Sequence, residues 1–345
     1  MHALLITEDE RIISEFRTIA AVTQTPLVIT CDPSKPDVEH AYRVFVDQAL
    51  SSIELLHSNV ILVSVGGTNT QTWSSALRLS AKYVATIPDS REWLIENLSE
   101  PSATKGLSVA IVPASGGAGA SVLSCGLAFH ARQLFQDVAL VDLDENSASL
   151  DITFGLENQP GMRWQDFQSL TGAISGNDIY RSLPSRDSVG LLTHGSLSTA
   201  QFPSSSGSIL EKLNEVCELV IVDFPRPSDR NFQFEALTEF DLVLVVTTAT
   251  VRGCANAKRS IATLAAHAKN IELVVRSIPG SNLEPLQIAE LLSTPLAAVV
   301  NTDARITEQI EQGFGVSGIN LGGFTRNLNS LAQRISYLRE LKSVA

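Results

Sequence analysis

The sequence predicts an α/β protein with two doubly wound, mostly parallel sheets in series. Three observations predict it. Short apolar runs alternate with amphipathic segments along the chain, a polar break interrupts the series near residue 100, and a glycine-rich turn follows the first strand after that break.

Residues 3–7, 27–30, 43–47, 60–64 and 83–86 are brief runs rich in Leu, Ile, Val and Phe, and read as buried parallel strands. Helical patterns separate them, clearest over 11–20 and 73–81. Five βα units make a flavodoxin-like domain over 1–99. Residues 100–106, Glu100-Pro101-Ser102-Ala103-Thr104-Lys105-Gly106, are polar and turn-rich and form the expected linker. A second series fills 107–345, with strands at 107–112, 138–142, 189–192, 219–223, 242–247, 271–275 and 296–300. A serine-rich stretch, 204–208, reads as a loop.

A length of 345 residues is enough for two separate cores, and 44% apolar with 18% charged residues describes a soluble globular protein. The net charge of −12 disfavours wrapping a phosphate backbone, so no specific nucleic acid partner is expected. Cys31, Cys125, Cys217 and Cys254 lack any metal-ligand spacing and read as small core side chains in a reducing compartment. The opening residues run into Glu8-Asp9-Glu10 with no basic segment ahead of a long apolar run. No stretch reaches the ~18 apolar residues of a membrane span. The expected location is cytoplasmic, at most peripheral at a membrane face or septum.

The strand at 107–112 leads into Pro113-Ala114-Ser115-Gly116-Gly117-Ala118-Gly119-Ala120-Ser121, followed by an unbroken helical pattern over 122–135. A strand, a glycine-rich turn and a helix start together make an anion site. Glycines let backbone N–H groups converge, and the helix dipole favours negative charge. Two later strands end in acids, Asp142-Leu143-Asp144 and Asp223. Carboxyl ends of parallel strands share one edge, so these acids are expected beside the turn, where a carboxylate can hold Mg²⁺ through water or orient a water molecule.

Gly116-Gly117-Ala118-Gly119-Ala120-Ser121 resembles the deviant phosphate loop of the MinD/ParA ATPases, written KGGxGK[ST]. Residues 141–144 with 150–156 resemble that family's switch region, and Ile221-Val222-Asp223-Phe224-Pro225 its Walker B segment. Residues 160–166, 273–276 and 304–310 point to the CpaE/TadZ-like branch, nearest the septum site-determining proteins of actinobacteria. The resemblance spans essentially the whole chain. It implies that Ser115, Gly116, Gly117, Ala118, Gly119, Ala120, Ser121 and Val122 surround ATP, that Ser121 and Asp223 hold Mg²⁺, and that Asp144 orients the attacking water. It also implies a homodimer with a division or pilus-assembly protein as partner.

The departures from the family pattern are in the cations. The signature lysine falls on Ser115 and the phosphate-loop lysine on Ala120, so transition-state charge loses its usual partner. Weak binding of ATP and Mg²⁺ with little turnover is expected. Arg163, Arg226 and Arg276 are the arginines nearest in sequence that could take a lysine's place. Arg276 falls where relatives often carry an adenine-contacting asparagine.

The first domain resembles a bacterial receiver, with Glu8-Asp9, Asp47 and Ser64 at its acidic, acceptor and hydroxyl positions. Ile87, however, stands where the receiver has its lysine, so a phosphoryl group would sit uncompensated and a pseudo-receiver is expected. His130 and His194 read as structural, and Trp164 as a packing residue or partner contact. Leu328, Leu331, Ile335, Leu338 and Leu341 recur at helical spacing in an amphipathic C-terminal helix, 327–345. With Arg326, Arg334, Arg339 and Lys342 it is locally basic, which leaves two destinations open, an anionic membrane or its own domain. The expected function is placement of the division septum. A CpaE/TadZ-like localisation factor for Tad pilus assembly and a genuine cycling ATPase are the alternatives.

Overall fold

The computed structural model describes all residues except 1, 24, 33–34, 54, 56, 58, 99–105, 148, 169–173, 196–205, 231, 317–321 and 345. The chain divides into two compact units, 1–103 and 104–345. The expected linker lies almost wholly outside the described residues. Its last member, Gly106, is built into the second unit, where its N–H donates to Asn214 O at 2.8 Å and a Cβ would collide with the Cys217 carbonyl.

The first unit is a five-stranded parallel sheet of β1 (His2–Ile6), β2 (Leu27–Thr30), β3 (Ala41–Asp47), β4 (Val60–Val65) and β5 (Tyr83–Ile87), in the order β2-β1-β3-β4-β5. Helices α1 (Glu10–Thr23), α2 (Lys35–Glu39) and α3 (Thr70–Arg78) connect strands, and α4 (Arg91–Leu98) follows β5. Alternate strand residues feed two cores, one built on Leu5, Phe16, Phe45 and Ile61, the other on Leu4, Val44, Val46 and Leu62.

The second unit is an eight-stranded sheet. Its strands are β6 (Leu107–Pro113), β7 (Val138–Asp142), β8 (Ser185–Arg186), β9 (Val189–Leu192), β10 (Leu219–Asp223), β11 (Leu242–Thr248), β12 (Ile271–Ser277) and β13 (Leu296–Asn301). The order is β13-β12-β11-β6-β10-β7-β9-β8, parallel except for the β8–β9 pair. All seven strands expected from apolar runs are present; β8 has only two exposed residues and no apolar signal. Between the strands lie α5 (Ala120–Ala131), α6 (Leu150–Phe154), α7 (Trp164–Phe167), α8 (Gly176–Ser182), α9 (Ser206–Val216), α10 (Val251–Leu264) and α11 (Pro285–Leu292), and after β13 come α12 (Ala304–Glu311) and α13 (Gly323–Val344).

Two expectations are corrected here. The helix after the glycine-rich turn runs over Ala120–Ala131 and does not reach residue 135. Leu134 and Phe135 fold back on the Ala131 carbonyl, which drops Phe135 into the core from a turn. Of the serine-rich stretch expected as a loop, residues 206–208 open α9, where Ile209 and Leu213 supply a buried stripe that outweighs serine's modest helix preference; 204 and 205 lie outside the described residues.

The chain passes from β6 to β7 on one side of the sheet, and later from β10 to β11 across β6 to the other side. The carboxyl end of β6 is therefore a topological switch point, where an open parallel sheet forms its crevice. Helix α13 covers one face. Leu328, Leu331, Ala332 and Ile335 are buried against α5 and β13. Arg334 pairs with Glu272, Arg339 with Glu218 and Lys342 with Asp241, at 2.6, 2.6 and 2.8 Å. Of the two destinations the sequence left open for this helix, the structure takes its own domain.

Candidate functional site

The turn between β6 and α5 lies at the switch point. Gly117 and Gly119 have φ of +72° and +95°, a region that an L side chain rarely adopts, so the turn closes only with glycine there. Gly119 is the N-cap of α5 and offers no side-chain acceptor, which leaves the first-turn N–H groups to face the concavity of the loop. Gly116 and Gly117 are exposed, Ser115 and Gly119 half-buried, and Ala118 and Ala120 buried. The loop is thus a backbone cradle with no cation from Ser115 or Ala120.

The fold brings Ser121 and Asp223 together. Ser121 Oγ donates to Asp223 Oδ2 at 2.7 Å, and Ser124, one turn further along α5, donates to Oδ1 at 2.9 Å. Asp223 on β10 is in register with Asp142 on β7, and both are buried. Asp142 accepts from Thr193 Oγ1 at 2.9 Å, Ser147 Oγ at 3.0 Å and Asp144 N at 3.0 Å. Burial pushes the Asp142 carboxyl up to about 6. Burial, with the Asp142 charge beside it, pushes Asp223 up to about 8. Two buried carboxylates side by side favour a bound cation. Hard oxygen donors from Ser121 and Asp223 fit Mg²⁺, and the loop fits a phosphate.

Asp144 is half-buried, and burial raises its carboxyl above the ordinary value. Its Oδ1 accepts from Asn146 N at 2.9 Å, so in this state it orders its own turn. Val122 lines a cavity of about 80 Å³ beside the loop, together with Gly119, Val274, Arg276, Asn301 and Thr302.

The three arginines separate. Arg163 is buried, 3.7 Å from Asp151 and donating to Gly161 O, and it braces its own segment. Its neighbour Trp164 is fully buried and donates from Nε1 to Asp142 O at 2.8 Å, so it is a packing residue that also anchors the end of β7. Arg226 and Arg276 flank the loop instead. Arg226 Nη1 lies 3.6 Å from where a Cβ on Gly116 would stand, and Arg276 Nη2 donates to Gly117 O at 2.8 Å. Ser124 and Thr193 were missed from the sequence. Ser124 sits three residues after Ser121 on one helix face, a readable signal; Thr193 follows β9 and carries none.

His130 and His194 are buried, and burial holds both below the ordinary histidine value. Cys125, Cys217 and Cys254 are buried, but Cys31 is exposed, because it follows the edge strand β2. Among the described residues no three His, Cys, Asp or Glu side chains form a metal cluster, and no helix is long and apolar enough to cross a membrane.

In the first unit Asp47 is buried at the end of β3. One oxygen accepts from Thr7 Oγ1 at 2.7 Å and the other from Ala49 N at 2.9 Å. Asp9 pairs with Arg11 at 2.6 Å, and Ile87 is buried on β5. Ser64 Oγ donates to Gly67 O at 3.2 Å.

Residues 6–108 match the family model described as Rv3660c-like, CheY-like N-terminal domain. Over 250 residues the chain is 29% identical to "Uncharacterized protein Rv3660c" of Mycobacterium tuberculosis strain H37Rv, covering 71% of this chain and 70% of that protein. The structure is similar to the MinD cell division protein of Aquifex aeolicus, with TM-score 0.56 and 20% identity over 67% of this chain and 97% of the other. It is also similar to the septum site-determining protein MinD, complexed with Mg-ADP, from Pyrococcus horikoshii OT3, with TM-score 0.57 and 17% identity over 69% and 98%. At these identities the likeness is one of fold. The chain has a CheY-like N-terminal domain followed by an α/β domain with a MinD-like fold.

Proposed function

We propose that this chain is a spatial regulator of septum placement whose nucleotide site is built for occupancy more than for turnover. One observation carries the reading. Ser121 and Asp223 stand within 2.7 Å at the mouth of a glycine cradle, while Ser115 and Ala120 supply no charge to it. Binding needs the cradle and the metal-side oxygens; fast phosphoryl transfer also needs positioned positive charge on the transferred group. ATP with Mg²⁺ is the proposed ligand, Ser121 and Asp223 the Mg²⁺ side, and Asp144 the acid that would orient water. A homodimer acting on a division protein, in the manner of the CpaE/TadZ-like branch, is the proposed working form.

Two measurements test this. Calorimetry should find weak, Mg²⁺-dependent binding of ATP, and phosphate release should run well below the ~1–100 s⁻¹ typical of kinases. In the native cell, depletion and overproduction should shift septum counts, and Asp144→Ala should preserve that control. Unchanged septa with lost surface pili would replace septum placement by pilus localisation. A robust rate eliminated by Asp144→Ala would replace the regulator by a cycling ATPase.

A further inference from the structure

Two guanidinium groups reach the phosphate loop from opposite sides of β6. Arg226 follows β10, the neighbour of β6 on one side, and Arg276 lies on β12, two strands away on the other. Arg226 Nη1 comes within 3.6 Å of a Cβ position on Gly116, and Arg276 Cδ and Nη1 within 3.4 Å of one on Gly119. An arginine therefore stands beside each glycine flank of the loop. Neither arginine is consumed by a strong ion pair among the described residues. Arg226 pairs with Asp229 at a long 3.4 Å, and Arg276 Nη2 donates to Gly117 O. Arg276 Nε is buried with no hydrogen-bond partner among the described residues. A buried donor left in this condition costs free energy unless an acceptor arrives.

We propose that Arg226 and Arg276 are the cations that hold a bound polyphosphate at this site, without taking over the transition-state role of the charge absent from Ser115 and Ala120, and that the ligand is recognised chiefly through its polyphosphate. The inference rests on the proposed nucleotide site and adds its charge partners. A guanidinium offers planar paired donors suited to phosphate oxygens. With Arg276 beside the α5 N-cap Gly119 and Arg226 beside Gly116, an anion in the loop would meet both side-chain and backbone donors. Arg276 stands where the loop opens on the 80 Å³ cavity. Its guanidinium bonds the loop itself, so it meets phosphate ahead of a base.

The test is calorimetry with Mg-ATP and with Mg-triphosphate as the base-free probe, on the full chain and on Arg226→Ala, Arg276→Ala and Arg276→Lys. Each alanine variant should lose about tenfold to a hundredfold in affinity toward both ligands alike, with an unchanged melting temperature, and Arg276→Lys should recover part of the loss. Full affinity in both alanine variants overturns the inference alone and leaves the nucleotide site standing. Loss toward ATP without loss toward triphosphate, or no triphosphate binding by the unmodified chain, makes Arg276 a base contact and also overturns it. No binding of either ligand by the folded, unmodified chain overturns the nucleotide site itself.

Discussion

Ser121 Oγ donates to Asp223 Oδ2 across 2.7 Å, tying the first turn of α5 to the end of β10. Ser124 donates to the other oxygen at 2.9 Å, so the carboxylate keeps one hydroxyl partner when either serine is removed. Ser121→Ala should therefore fold normally yet lose most of the Mg²⁺ dependence of ATP binding, whereas Ser124→Ala should keep it. Calorimetry with and without Mg²⁺ checks both, and equal effects from the two serines would refute the assignment of Ser121 to the metal side.

The same carboxyl group predicts a pH dependence of stability. Asp142 and Asp223 titrate at about 6 and about 8 in the folded chain, raised by burial, against ~3.9 for an exposed aspartate. As pH rises, the unfolded chain releases these protons first, so the stabilising contribution is full below about pH 4 and lost on the way to about pH 8. Asp223→Asn removes much of that loss. Its melting temperature relative to the unmodified chain, measured without metal, should climb between pH 5 and pH 8. A difference independent of pH would contradict this.

Helix α13 should behave as core. Leu331 is 1% exposed, and Leu331→Ala should cost about 2–5 kcal/mol in denaturant unfolding. Gly126 on α5 faces the same helix, and a Cβ there would stand 2.7 Å from Leu328 Cδ1, so Gly126→Ala should also destabilise the chain. Deleting 327–345 should yield aggregated protein. Because the basic residues 334, 339 and 342 are paired with acids of their own domain, the full chain should not co-sediment with anionic vesicles at physiological salt. Salt-sensitive co-sedimentation lost on truncation, with the remainder folded, would restore the membrane role.

Asp47 should not act as a phosphoryl acceptor. Both its oxygens are hydrogen-bonded, it is 7% exposed, and Ile87 offers no positive charge nearby. Incubation with acetyl phosphate and Mg²⁺ should leave the intact mass unchanged, and Asp47→Asn should leave septum counts as they were. A mass increase abolished by Asp47→Asn would show a working receiver.

By itself the sequence determined the α/β class, the strands of both sheets apart from the two-residue β8, the glycine turn and the missing lysines. Each of these is local. Buried parallel strands write continuous apolar runs, a phosphate cradle needs glycine at fixed spacing, and an absent lysine is visible wherever the chain folds. Tertiary structure decided what depends on partners distant in sequence. The pairing of Asp142 with Asp223 follows from β10 inserting between β6 and β7, which no periodicity announces. The three arginines look alike in sequence; strand order brings Arg226 and Arg276 to the loop and buries Arg163 beside Asp151. Helix α13 has the apolar stripe of a membrane helix and of a core helix alike. The acids at 218, 241 and 272 and the face of α5 chose between them, because they meet its charges and fill its grooves at once.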